Sequence, residues 1–225
     1  MKKIILAGII LGFFSCKNQD SVYEEYIVPN GYYYPAKALD ATAHPGRERI
    51  EISWKNGADP KVVKAGISWN NDTESVEVDV LSGADIISRM IDPIDENTYS
   101  FLIRTYDDKG NASVSVEVIG TVYGEEYERS LMNRSMKSAI CDANGNLTIE
   151  WNAAADTEVG IALDYTDIDG NSKTWLVDDP TETITTISDF KAGEPLYCTT
   201  IYKPDSMAID EFRAPTVTLQ YSILY

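Results

Sequence analysis

The run Asp167-Ile-Asp169-Gly170-Asn171 sets side-chain oxygens at the first, third and fifth positions of a tight loop, the spacing with which a calcium loop begins. Its twelfth position is Asp178, where a full calcium loop has a bidentate glutamate. Trp175 and Val177 also fall inside it in strand alternation, so the segment reads as a hairpin turn. Asp107-Asp108-Lys109-Gly110-Asn111 repeats the frame with a lysine at its centre, which opposes a cation. The single histidine, His44, and the lack of Cys-x-x-Cys or His-Glu-x-x-His spacing leave no material for zinc, and no metal or cofactor is expected. No Gly-x-Ser-x-Gly elbow is present, His44 stands beside a Pro45-Gly46 turn, and the acids are scattered over strand faces and turns. No catalytic residue is assigned, and the chain is not expected to be an enzyme. Aromatic rings are the remaining chemistry, because sugar rings stack on their faces. Trp69 and Trp175 are the candidate ligand-binding residues, beside the tyrosine run that ends at Tyr34. Trp175 shares its face with Lys173 and Val177, which predicts partial exposure; the competing reading is that strand aromatics fill a core.

Positioning these residues requires strands, and the strands come in two sets. Ile50, Ile52 and Trp54 alternate with Glu51 and Ser53, and Leu147, Ile149 and Trp151 repeat the pattern 97 residues from tryptophan to tryptophan. Each is followed by a polar bend containing Ala-Asp and then another strand, Val63 to Trp69 and Val159 to Tyr165. The alternating runs Glu74 to Val80 and Lys173 to Val177 take equivalent places, as do Tyr99 to Tyr106 and Leu196 to Tyr202. A repeat at this spacing predicts two copies of one domain, each an all-β sandwich with its tryptophan, Trp54 or Trp151, between the sheets. A fibronectin type III or an immunoglobulin-like strand order would give the same hydrophobic pattern. Residues 33–122 form the first expected sandwich and 136–225 the second. Residues 123–135 form a joint with one helical turn around Glu126 to Met132, where Tyr127, Leu131 and Met132 are apolar enough to pack against a domain edge.

Ahead of the first copy stand Lys2 and Lys3, an apolar run from Ile4 to Phe14, and Ser15-Cys16. A positive n-region, an apolar h-region and a small residue before the cut make a signal peptide over residues 1–15. The apolar run is shorter than a membrane crossing needs. A cysteine at the cut is what a lipoprotein requires, since its thiol takes the diacylglycerol, so Cys16 is the expected lipid attachment and residues 16–32 a flexible tether. A net charge of −17 repels phosphate backbones and excludes nucleic acid as a partner. Cys141 and Cys198 are the other two thiols, and their pairing is open.

Tyr34-Pro35-Ala-Lys, His44-Pro-Gly-Arg47, Asp59-Pro-Lys-Val-Val-Lys-Ala65, Ile67-Ser-Trp-Asn70, Tyr106 to Ser113, and Val122-Tyr-Gly through Ser130-Leu-Met-Asn-Arg134 occur in that order. Together, over residues 33–135, they resemble an uncharacterised family of Bacteroidota surface lipoproteins with fibronectin type III-like domains. The resemblance implies location at the outer membrane or cell surface and a role beside glycan uptake. It supplies no catalytic residues. The expected function is therefore a non-catalytic, lipid-anchored module that binds a glycan or accompanies its uptake, with an outer-membrane protein as the other candidate partner. A structural spacer or protein-docking module is the alternative.

Overall fold

The computed structural model describes residues 31, 33–81 and 83–224; the expected signal peptide, Cys16 and nearly all of the tether lie outside the described residues. Residues 35–225 form one compact unit. Its first half contains β1 (Leu39–Pro45), β2 (Ile50–Lys55), β3 (Val62–Trp69), β4 (Glu74–Asp79), β5 (Ile86–Ile91), β6 (Asn97–Asp107) and β7 (Val116–Val122). A short helix α1 (Glu125–Ser130) leads to the second set: β8 (Met136–Cys141), β9 (Leu147–Trp151), β10 (Glu158–Thr166), β11 (Ser172–Val177), β12 (Ile184–Ile187) and β13 (Leu196–Tyr202). The last strands are β14 (Phe212–Arg213), β15 (Val217–Leu219) and β16 (Ser222–Ile223).

The alternation in β2 and β9 is what buries one side of each strand: Ile50, Ile52, Leu147, Ile149 and Trp151 are fully covered and Trp54 is nearly so. Each tryptophan belongs to the core between two sheets, joined there by Phe101 and Ile103 in one sandwich and by Leu163 and Phe190 in the other. The two copies differ at the indole nitrogen. Trp151 Nε1 donates to Thr185 Oγ1 at 3.0 Å, whereas Trp54 Nε1 has no partner among the described residues.

Strand order settles the topology that the sequence pattern left open. The first sandwich sets β1-β2-β5 against β4-β3-β6-β7, and the second sets β12-β9-β8-β16 against β11-β10-β13-β14, with β15 also paired to β13. In both copies the fourth strand stays beside the third, β4 on β3 and β11 on β10. This is the fibronectin type III arrangement; an immunoglobulin constant-type order would send that strand to the opposite sheet. Tyr99 opens β6 with its hydroxyl donating to Asp95 O at 3.0 Å, the corner that ties this strand to the preceding turn. In the second copy Leu196 is the register match of Phe101, since Cys198 faces Leu163 as Ile103 faces Ile67, and Glu194 stands where the tyrosine would be. There the chain leaves β15, crosses to the other sheet and pairs β16 in parallel with β8, Ser222 opposite Ile140.

Three five-residue turns share one design. Asp107, Asp142 and Asp167 each accept, through Oδ1, the backbone N–H groups two and four residues on, at 2.8–3.0 Å. In each, an asparagine side chain, Asn111, Asn146 or Asn171, donates to the same carboxylate. Gly110, Gly145 and Gly170 supply the left-handed backbone at φ of 82°, 85° and 88°, a conformation that favours glycine. The Asp142 copy, which turns β8 into β9, went unread in the sequence although its Asp-x-x-Gly-Asn frame is the same.

Candidate functional site

The joint between the two strand sets carries a dense polar network. Arg49, just before β2, holds Asp210 of the β13–β14 loop with two hydrogen bonds, Nε to Oδ2 at 2.9 Å and Nη2 to Oδ1 at 2.5 Å. The same carboxylate accepts Arg47 N at 2.9 Å, and Ile209 N donates to Pro45 O at 2.7 Å. Arg47 also pairs with Glu128 of α1. Hydrogen bonds from Arg49 first, then the backbone of Arg47 and both positive charges, hold the Asp210 carboxyl below its ordinary range. The apolar side of the joint is a ring cluster: Tyr123 and Tyr127 at 4.5 Å between centroids, with Phe212 at 5.6 and 5.2 Å from them. Phe212 is fully buried.

Helix α1 forms there because an outside group satisfies its first donors. Glu96, in the turn before β6, accepts Glu126 N and Tyr127 N at 2.8 Å each, replacing the N-cap side chain that Gly124 lacks. A Cβ on Gly124 would come within 2.8 Å of that carboxylate, so glycine permits the approach. Tyr127 packs into the joint, but Met132 is 80% exposed and does not cover a domain edge as expected. The chain ahead of β8 is anchored instead by Arg134, which sequence reasoning missed. Its guanidinium donates to Asn152 O at 2.8 Å, Glu182 O at 3.0 Å and Glu158 Oε1 at 3.4 Å, and lies 6.0 Å over the Trp151 ring. Both side chains of this ion pair are 1% exposed, and Glu158 Oε2 has no partner among the described residues. Burial raises the Glu158 carboxyl above its ordinary value, against the pull of Arg134.

The two tryptophans singled out for ligand stacking occupy different environments. Trp69 is 9% exposed and packed 6.0 Å from Phe101 in the first core, which leaves little of its ring open to a ligand. Its place at the end of β3 is matched by Tyr165 at the end of β10, another core ring, since Glu74 and Lys173 stand opposite them. Trp175 is 42% exposed on β11, and Leu176 beside it is 61% exposed. The structure does not bring Trp69 and Trp175 together in one site. The hollows on the described surface are shallow. One of about 280 Å³ lies on the outer face of β10, β11 and β13, lined by Asp164, Thr174, Pro195 and Tyr197.

His44 Nε2 and Ser53 Oγ are 2.7 Å apart across β1 and β2. Among the described residues no carboxylate is hydrogen-bonded to the other ring nitrogen, so the pair lacks the third group that orients a catalytic histidine. The Asp167 carboxylate is committed to its own turn and to Lys173 Nζ at 3.1 Å, and these bonds, the backbone of Asn171 foremost, hold its pKa down at about 2. Among the described residues no group of three or more His, Cys, Asp or Glu side chains is placed to hold a metal ion. Cys141 and Cys198 are both free and buried, and burial pushes the Cys198 thiol up to about 12.

A family model described as a domain of unknown function matches residues 16–212, from the cysteine after the apolar run to the ring at the centre of the joint. The chain belongs to this family, DUF4998. No curated protein matches it. Among solved structures, a two fibronectin type-III domain segment from chicken tenascin is similar at a TM-score of 0.33 and 12% identity, covering 81% of this chain and 97% of that one. The FN1-FN3 domains of chicken CNTN1 are similar at 0.40 and 11% identity, covering 85% and 69%. For this DUF4998 chain the assignment of fold rests on its own strand order. The family match includes both halves of the joint up to Phe212, so Arg49, Glu96, Tyr123, Tyr127 and Asp210 all lie within the matched region.

Proposed function

We propose that this chain is a non-catalytic, lipid-anchored module of the outer membrane or cell surface, in which two sandwiches act as one stiff spacer and docking arm. The observation that carries the reading is the bidentate Arg49–Asp210 pair together with the Tyr123, Tyr127 and Phe212 ring cluster, both spanning the two strand sets. A linker meant to flex would leave such groups in solvent, whereas a fixed joint keeps a surface on the second sandwich at a set distance and direction from the anchor. Lipidation at Cys16 would provide that anchor, with the segment up to residue 32 as its tether. Mass spectrometry of the mature N-terminus tests the anchor: a diacylglyceryl Cys16 is expected, and an unmodified one removes it. Small-angle scattering of residues 22–225 tests the arm. One narrow set of dimensions is expected, broadened by Asp210→Ala combined with Phe212→Ala; an unaltered protein that scatters as two freely jointed bodies refutes it.

A second reading, binding of a neutral glycan, is favoured by the hollow beside Tyr197. Tyr197 is 42% exposed with Asp164 and Thr174 lining the same hollow, an aromatic side chain beside hydroxyl-binding groups. Affinity electrophoresis against a polysaccharide panel checks this: retardation lost in Tyr197→Ala supports it, and no retardation by any glycan ends it.

A further inference from the structure

The free edges of the two sandwiches are guarded unequally. An edge strand offers unpaired N–H and C=O groups to any extended chain, and proteins blunt such edges with charge, shortness or cover. Here β4 carries Glu74, Glu77 and Asp79 in six residues, β5 carries Arg89, β7 carries Glu117, and β12 has only four residues. The strands β14, β15 and β16 are two or three residues long. Pro45 and Gly46, at the end of β1, are covered by the joint through Ile209 and Tyr123. The exception is β11, Ser172–Val177, which among the described residues pairs only with β10. It contains no proline and no acid, and its one cation, Lys173, is already held by Asp189 and Asp167 at 2.5 and 3.1 Å. Its middle is Trp175 and Leu176, side by side on opposite faces and 42% and 61% exposed. The equivalent strand of the other copy has Val76 at the place of Trp175, opposite Ile67 as Trp175 is opposite Leu163. The acid-free edge with an apolar centre is thus a property of the second copy and not of the fold.

Charge decides what such an edge accepts. Exposed Asp169 precedes β11, and exposed Asp178 and Asp179 follow it directly, so the apolar centre lies between acidic ends. A second copy of this chain, at net −17, would bring like charges to both ends of the pairing. We infer that β11 is a strand-addition site for an extended segment of another polypeptide, apolar at its centre and cationic at both ends, which pairs with the β11 backbone and covers Trp175 and Leu176. Backbone hydrogen bonds would supply the register-independent part of the affinity, and the Trp175 and Leu176 side chains the selectivity. The inference rests on the docking half of the proposed function and names the partner's chemistry. It is independent of the joint's stiffness, which scattering reads separately.

The test uses residues 22–225 with backbone amides assigned by NMR, and as probe a blocked heptapeptide, Lys-Val-Thr-Val-Thr-Val-Lys. Slower amide exchange confined to β11 and a shifted Trp175 indole resonance are expected on titration. An otherwise identical peptide with aspartate ends should bind about tenfold more weakly or worse, from like-charge repulsion at both ends. Leu176→Lys, a change at an exposed site, should remove binding while leaving the amide spectrum of the remaining strands in place. No protection of β11, equal protection of β4, or equal binding of the two peptides overturns the proposal. Concentration-dependent protection of β11 without peptide also overturns it, in favour of self-pairing.

Discussion

Arg134→Met is the sharpest perturbation available in the second sandwich. Methionine keeps much of the packing volume over Trp151 but removes the donors to Asn152 O and Glu182 O and the counter-charge of Glu158. Removing one partner of a buried ion pair strands the other charge and costs about 3–5 kcal/mol, a large share of a domain's total stability. The expected loss in urea unfolding at pH 7.5 is therefore about 4 kcal/mol. Adding Glu158→Gln removes the stranded charge and should return about 2 kcal/mol of it, a coupling that a double-mutant cycle reads directly. The pH dependence carries a sign. Burial already raises the Glu158 carboxyl above its ordinary 4.5, and loss of Arg134 removes the charge that opposes the rise. A carboxyl with a folded-state pKa above its unfolded one is stabilising when protonated. That contribution is fully present below the unfolded value and lost as pH rises through the folded one. The Arg134→Met penalty should thus shrink between pH 7.5 and pH 5. A loss below about 1 kcal/mol at pH 7.5, within the range of an exposed pair, with no recovery at pH 5, would refute a stranded buried charge.

Gly120→Val should destabilise the first sandwich by about 1–3 kcal/mol through overpacking, because a Cβ there would stand 2.6 Å from Ile50 Cδ1 and 2.7 Å from Ala43 Cβ; calorimetry checks it. Asp167→Ala should lower the Tm at neutral pH. The Asp167 carboxyl titrates at about 2 in the fold against 3.8 ordinarily, so its contribution is present above the ordinary value and lost as pH falls through about 2. The gap between variant and parent should close over that interval in thermal melts. Cys141 and Cys198 should resist iodoacetamide at pH 8 until the chain is unfolded, as both are fully buried and burial raises both thiols; alkylation of the native protein within minutes would contradict their burial.

Much of the fold was legible because strand alternation is a local signal. Ile50-x-Ile52-x-Trp54 and Leu147-x-Ile149-x-Trp151 announce a buried face whatever surrounds them, and the structure buries both. The Asp-x-x-Gly-Asn turns are equally local, which makes the unread Asp142 copy a signal that was available. Trp69 and Trp175 show where local reading stops. Both sit in alternating strands, and what separates them is that β3 is central and β11 an edge, a property of pairing partners far along the chain. Arg134 and Asp210 were invisible for the same reason. Each is a charged residue in an irregular segment, and its meaning comes from residues 24 and 161 positions away.

The three aspartate turns bear on how the chain finds its strand order. Each is closed by a carboxylate, an asparagine and a glycine within five residues, so it requires nothing from the rest of the sandwich. All three lie between antiparallel partners, β6–β7, β8–β9 and β10–β11, and favour those registers through bonds local in the chain. Sandwiches fold slowly because most of their pairings join distant segments and the closure entropy of those loops comes first. A chain that starts from such locally favoured corners has fewer ends to bring together, and the second sandwich, with two of the three corners, has the shorter search.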